Sequence, residues 1–94
     1  MGRDWILVRW SDRALAHALG KHGVTEQEIG EMFDRGVILR EAATERVAAY
    51  GETLAGRLLT AILEVREGHH WLITIRKMEP RERIYYVTRE GYGN

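Results

Sequence analysis

The stretch HWLITIRKMEPRERIYY, residues 70–86, decides the fold because it joins an alternating strand to the start of a helix. Side chains alternate along a strand. One side is apolar and holds Trp71, Ile73 and Ile75. The other side is semi-polar and holds His70, Leu72, Thr74 and Arg76. This contrast predicts an antiparallel sheet with helices packed mainly on one face. Pro80 suits the first position of a helix, and Gly91 suits its end, so a final helix is predicted over 80–90.

Upstream of this stretch, the sequence predicts one strand and two helices. DWILVRW, residues 4–10, is rich in β-forming residues. Ser11 then suits the N-cap of a first helix. In the second helix, Thr25 and Glu28 have the spacing of a capping box, and Gly36 suits the position just after its end.

Four successive strands are predicted between the second and the last helix, over residues 37–41, 46–52, 57–66 and 70–78. The resulting order is β-α-α-β-β-β-β-α, an α+β class. No repeat, linker or low-complexity tract interrupts the chain, which indicates a single domain over residues 1–94.

Composition excludes several classes of protein. The 14 basic and 14 acidic residues cancel, and cysteine is absent. The absence of cysteine fits a reducing compartment. No apolar run is long enough to span a membrane, and the N-terminus lacks a secretory h-region, so a cytoplasmic protein is expected. The four histidines lack the spacing of metal ligands and there is no phosphate-binding glycine loop, so neither a metal nor a cofactor is expected.

Positive charge concentrates in the last quarter, where residues 71–94 carry five basic and three acidic residues. Arg76 and Lys77 end a predicted strand on opposite sides, and Arg57 begins the neighbouring strand of the hairpin. Arginine binds phosphate through two hydrogen bonds, and tyrosine offers a stacking face. These residue types together suit single-stranded RNA. The alternative is a solvated helix whose charges pair with each other.

Cleavage of RNA by its own 2′-hydroxyl requires a base for that hydroxyl, stabilisation of the pentacovalent phosphate, and an acid for the 5′-oxygen. Arginine and lysine supply the stabilisation. The sequence leaves the acid and base open among His22, Glu82 and a tyrosine.

Four blocks of the chain, in order and spacing, resemble the BrnT family of bacterial toxins. They are KHGVTEQEIGEMFD, TER, GRLLTAILEV and ITIRKMEPRERIYY. The positions that match the family pattern are Trp10, Lys21, His22, Gly23, Val24, Glu28, Phe33, Asp34, Glu45, Arg46, Gly56, Arg57, Leu59, Arg76, Lys77, Glu82, Arg83 and Tyr86.

The resemblance implies a RelE-like fold and a metal-independent ribonuclease that inhibits growth as the toxin of a type II toxin–antitoxin pair. It also implies a small antitoxin with a ribbon-helix-helix DNA-binding part, and a complex that represses its own operon. By position, the implied catalytic residues are Arg57, Arg76, Lys77, Arg83 and Tyr86. The expected RNA-binding residues are Lys21, His22 and Arg81.

The chain departs from the family pattern at the start of the first helix, at Ser11, Asp12, Ala14 and Ala18. The alternative function is therefore a non-catalytic protein-interaction module of the same fold, a degenerate toxin. The sequence leaves open whether the protein forms a homodimer or a toxin–antitoxin hetero-oligomer.

Overall fold

The computed structural model describes residues 2–90, and its elements follow the predicted order. They are β1 Val8–Arg9, α1 Asp12–His22, α2 Glu26–Asp34, β2 Ile38–Ala43, β3 Arg46–Glu52, β4 Leu58–Arg66, β5 His69–Lys77 and α3 Pro80–Glu90. The sheet has the order β1-β5-β4-β3-β2, and only β1 runs parallel to its neighbour. The α+β class is confirmed. The predicted stop at Gly91 lies outside the described residues.

The first strand is shorter than predicted. Only Val8 and Arg9 pair with β5. Asp4 instead exchanges two backbone hydrogen bonds with Val37, at 2.7 and 2.9 Å, just before β2 begins. Residues 4–10 were predicted as one strand from their β-forming composition, which does not show where their backbone finds partners.

The predicted starts of α1 and α2 are confirmed, and α3 begins at Pro80 as predicted. The Ser11 hydroxyl accepts a hydrogen bond from the Ala14 amide at 3.1 Å. Thr25 and Glu28 form the reciprocal capping box, with contacts of 3.1 and 3.0 Å. Gly23, in the left-handed region with φ of +64°, ends α1, so the turn between the two helices is short.

The chain turns from α2 into the sheet at Gly36. Its φ is +87°, and a Cβ there would lie 2.8 Å from the Trp5 ring. Glycine therefore meets both the backbone conformation and the close approach of the N-terminal segment.

Helices cover both faces of the sheet, two on one face and one on the other. The α1–α2 face packs around Val24, Ile29, Met32, Leu59, Ala61, Leu63, Leu72 and Ile75. The α3 face packs around Ile38, Ala48, Tyr50 and Tyr86. Alternation along β3 and β4 separates the two clusters, because neighbouring residues in a strand point to opposite faces.

A β-bulge changes the predicted alternation of β5. The register with β4 jumps between Ile62 and Leu63, which face Thr74 and Leu72, so Ile73 has no partner. Because of this extra residue, Leu72 and Ile75 lie in the same core, on the α1–α2 face. The predicted side of Leu72 was therefore wrong.

None of the helices within residues 2–90 has the length and hydropathy needed to cross a bilayer.

Candidate phosphate-binding site

Three of the predicted site residues line one surface cavity of about 270 Å³. They are Arg57, Lys77 and Arg83, and Gly56, Leu58 and Met78 complete the lining. We call this the cationic cavity. Its walls come from the turn before β4, the end of β5 and the first turns of α3. No acidic side chain belongs to the lining.

The β4–β5 hairpin explains why Arg57 and Lys77 meet. Leu59 pairs with Lys77, and the Met78 amide donates to the Leu58 carbonyl at 3.1 Å. The turn before β4 is fixed by Thr53, whose hydroxyl accepts from the Arg57 amide at 3.1 Å. The start of one strand therefore lies beside the end of the next, as the sequence predicted.

Arg57 is held in place by the junction between α1 and α2. Its guanidinium donates to the carbonyls of His22 and Gly23, at 3.1 and 2.9 Å, and to the Glu28 carboxylate at 3.0 Å. The Thr25 amide, and then Arg57 itself, hold the pKa of Glu28 below its ordinary value, although burial opposes this. Arg57 therefore enters the cavity as a pre-oriented donor whose charge is partly compensated.

Lys77 and Arg83 differ from Arg57 because their charge is not compensated by a neighbour. Both are exposed, and within residues 2–90 no carboxylate lies within salt-bridge distance of either one. Cations without partners at the mouth of a cavity attract phosphate groups.

Arg76 points away from the cationic cavity, toward the α3 face. Its guanidinium makes two contacts of 2.8 Å with the Glu82 carboxylate. Glu82 also accepts from the Thr60 hydroxyl at 2.9 Å and from the Glu79 amide at 2.8 Å. Burial alone would raise the pKa of Glu82, but these bonds, led by that from Arg76, lower it. The structure thus separates Arg76 from Lys77, which follows from their adjacent positions in one strand.

Tyr86 is fully buried and does not line the cavity. Its hydroxyl donates to Glu52 at 2.9 Å. Burial, followed by this hydrogen bond, raises the pKa of Tyr86 far above its ordinary value. The hydroxyl therefore stays protonated, and its predicted catalytic role stays a prediction.

The predicted RNA-binding residues lie around the cavity rather than in its lining. Lys21 and His22 form the last turn of α1, where the His22 carbonyl binds Arg57. Desolvation, and then the nearby His17, Lys21 and Arg76, lower the pKa of the His22 imidazole. Arg81 is exposed on the first turn of α3.

An aromatic–cation cluster that the sequence did not predict lies on the α3 face. The guanidinium groups of Arg40 and Arg89 both lie over the Tyr85 ring, at 4.4 and 4.1 Å from its centroid, and the Tyr50 ring meets it edge-on at 5.5 Å. The spacing of four residues between Tyr85 and Arg89 on one helix is enough to predict that these two side chains are neighbours. The position of Arg40 beside Tyr85 could not be predicted in this way, because Arg40 belongs to β2.

Within the described part of the chain, no three or more histidine or acidic side chains converge in a way that could hold a metal ion.

A search of solved structures finds the 1.1 Å crystal structure of the Brucella abortus ribonuclease toxin BrnT. The match has a TM-score of 0.61 and 14% sequence identity, and it covers 79% of this chain and 97% of that one. The fold is BrnT-like. No protein-family model and no curated protein matches the sequence.

Proposed function

We propose that this protein is a metal-independent ribonuclease toxin that cleaves RNA at the cationic cavity. The observation that carries the proposal is the meeting of Arg57, Lys77 and Arg83 around one cavity of a BrnT-like fold. These residues come from three separate elements, and within residues 2–90 only Arg57 has a carboxylate partner, Glu28, which lies outside the cavity lining.

In the proposed reaction the RNA supplies its own nucleophile. The 2′-hydroxyl loses its proton, and its oxygen forms a bond to phosphorus while the bond to the 5′-oxygen breaks. The 5′-oxygen takes a proton from solvent water, so the products are a 2′,3′-cyclic phosphate and a 5′-hydroxyl. Negative charge builds up on the non-bridging oxygens at the transition state. Lys77 and Arg83 stabilise that charge with their uncompensated cations, and Arg57 adds donors whose orientation is already fixed.

His22 is the residue we favour as the proton acceptor. Glu82 is saturated by Arg76, Thr60 and a backbone amide, and Tyr86 is buried. The backbone carbonyl of His22 binds Arg57 beside the cavity, and the lowered pKa of its imidazole favours the neutral form. A neutral imidazole accepts a proton readily.

The proposal includes a protein partner. A free nuclease of this kind would act on cytoplasmic RNA and arrest growth, so we propose a cognate antitoxin of the ribbon-helix-helix type. Three cations around one cavity offer a matching surface for acidic side chains of such a partner.

The test is cleavage of single-stranded RNA by the purified protein in the presence of EDTA. We expect fragments with 2′,3′-cyclic phosphate ends from the wild type and large losses from Lys77→Ala and Arg83→Ala. Arg40→Gln is the matched control, since it removes an exposed arginine on the α3 face. A wild type that leaves RNA intact would contradict the proposal and favour the non-catalytic interaction module.

A further inference from the structure

A row of basic side chains runs along α1. Arg13, His17 and Lys21 are spaced four residues apart, so they lie one above another on one side of the helix. All three are exposed. The single acidic residue of α1, Asp12, lies in its first turn. One exposed row of α1 is therefore basic along its length, although the helix also exposes Leu19.

This row begins at a second cavity, of about 460 Å³, which lies between the start of α1 and the strands β4 and β5. Its polar lining consists of Ser11, Arg13, His17 and Arg66, and it includes no acidic side chain. Arg66 lies over the Trp71 ring at 5.1 Å, and its Nε lies 3.2 Å from Glu64. The Arg66 side chain is still 54% exposed, so its guanidinium remains accessible from solvent.

Direct contacts connect the second cavity to the cationic cavity. His17 lines the second cavity, and its ring meets that of His22 edge-on, with centroids 5.7 Å apart. The His22 carbonyl accepts from Arg57 at 3.1 Å, and Arg57 lines the cationic cavity. The two cavities therefore lie at opposite ends of α1, whose 11 residues span roughly 16 Å.

We propose that Arg13, His17, Lys21 and Arg66 form a basic track that binds the phosphates of an RNA strand on its way to the cationic cavity. This inference rests on the proposed function, and it adds that the substrate is a single strand several nucleotides long. Such a track reads the backbone and not the bases, so it binds without sequence preference.

The experiment measures binding of fluorescein-labelled 2′-O-methyl RNA, which lacks the free 2′-hydroxyl and stays intact. A trinucleotide and a dodecamer are compared by fluorescence anisotropy at several salt concentrations. The test variant is Arg13→Gln/Arg66→Gln, and Arg40→Gln is the control. We expect the double variant to bind the dodecamer about 10-fold more weakly and to bind the trinucleotide as the wild type does. The salt slope for the dodecamer should fall by about 0.7 for each of the two lost cations, about 1.4 in total.

The outcomes separate this inference from the function on which it rests. If the double variant binds the dodecamer as tightly as the wild type does, the track is overturned and the proposed function is not. This result is expected if these residues bind a protein partner instead of RNA. An equal loss for both oligonucleotides also overturns it, because the effect would then not depend on strand length. A wild type that binds neither oligonucleotide overturns the proposed function together with the track. Should the double variant not fold, Lys21→Gln, exposed on the same helix, is tested in its place.

Discussion

Arg76 and Glu82 form a two-point ion pair that joins the end of β5 to the first turn of α3, with both contacts at 2.8 Å. The pair is mostly shielded, since the Arg76 side chain is 28% exposed and that of Glu82 is 14% exposed. Its two residues are only six apart in the chain, so the pair ties the first turn of α3 to the end of the strand that precedes it.

Removing one member of this pair should destabilise the protein. Arg76→Ala leaves the Glu82 carboxylate without its cation, and we expect the free energy of unfolding to fall by about 2 kcal/mol. Urea denaturation measures it. Arg46→Ala is the control, because it breaks an ion pair with Glu64 in which the arginine is 47% exposed. That variant should lose less than about 1 kcal/mol. Equal losses in the two variants would show that the Arg76–Glu82 pair stabilises the fold no more than an exposed ion pair does.

The same pair should make stability depend on acid pH. The folded protein holds the pKa of Glu82 below its ordinary value of 4.5. The stabilisation is therefore fully present above that value and is lost as the pH falls through the lowered pKa of the folded state. In Glu82→Gln we expect lower stability at neutral pH but a shallower loss below about pH 4.5. Unfolding free energies of both proteins across this range test it, and parallel curves would contradict it.

Lys77 and Arg83 should matter for RNA cleavage and not for folding. Neither forms an ion pair within the described residues, so Lys77→Ala and Arg83→Ala should change the unfolding free energy by less than about 0.5 kcal/mol. Cleavage should fall about 100-fold in each, because each removes a charge at the proposed transition state. Arg89→Ala is the matched control, because Arg89 is an exposed arginine of α3 outside the cavity lining. A loss there as large as in Arg83→Ala would show that general charge, and not the cavity, governs cleavage.

The Tyr86 hydroxyl should be required for stability. Tyr86→Phe removes its bond to Glu52 and leaves that carboxylate with Arg3, at 3.8 Å. We expect the unfolding free energy to fall by about 1 to 2 kcal/mol while cleavage at low temperature is retained. Thermal denaturation and cleavage assays on the same preparation separate the two effects. If folding is unchanged and cleavage is lost, the catalytic role predicted from the sequence holds instead.

Elements with local signals were predictable from the sequence. The capping box of Thr25 and Glu28 fixes the start of α2 through contacts three residues apart, which depend on no other part of the chain. The bulge at Ile73 was not predictable, because it arises from the match between β5 and β4. The shortened first strand has the same cause, since Asp4 pairs with Val37, distant in sequence.

The candidate site was predictable where it depends on neighbouring strands. Hairpin geometry was enough to bring Arg57 toward the end of β5. It was not enough to show that Arg76 would be neutralised by Glu82, or that Tyr86 would be buried, because both outcomes depend on how α3 packs across the sheet. The spacing of Arg13, His17 and Lys21 in the sequence indicates a basic row on one helix. The connection of this row to the cationic cavity is visible only in the structure, in the contact between His17 and His22.

The bonds from Arg57 to the α1–α2 junction bear on how such a protein would change during evolution. Under the proposed function, a descendant that lost RNA cleavage would still need Arg57 to hold α1 and α2 together, so selection for folding would preserve this arginine. Lys77 and Arg83 form no ion pair within residues 2–90, so selection for folding would not prevent their substitution. In an alignment of relatives, the residues at positions 77 and 83, and not Arg57, would therefore distinguish active nucleases from inactive ones.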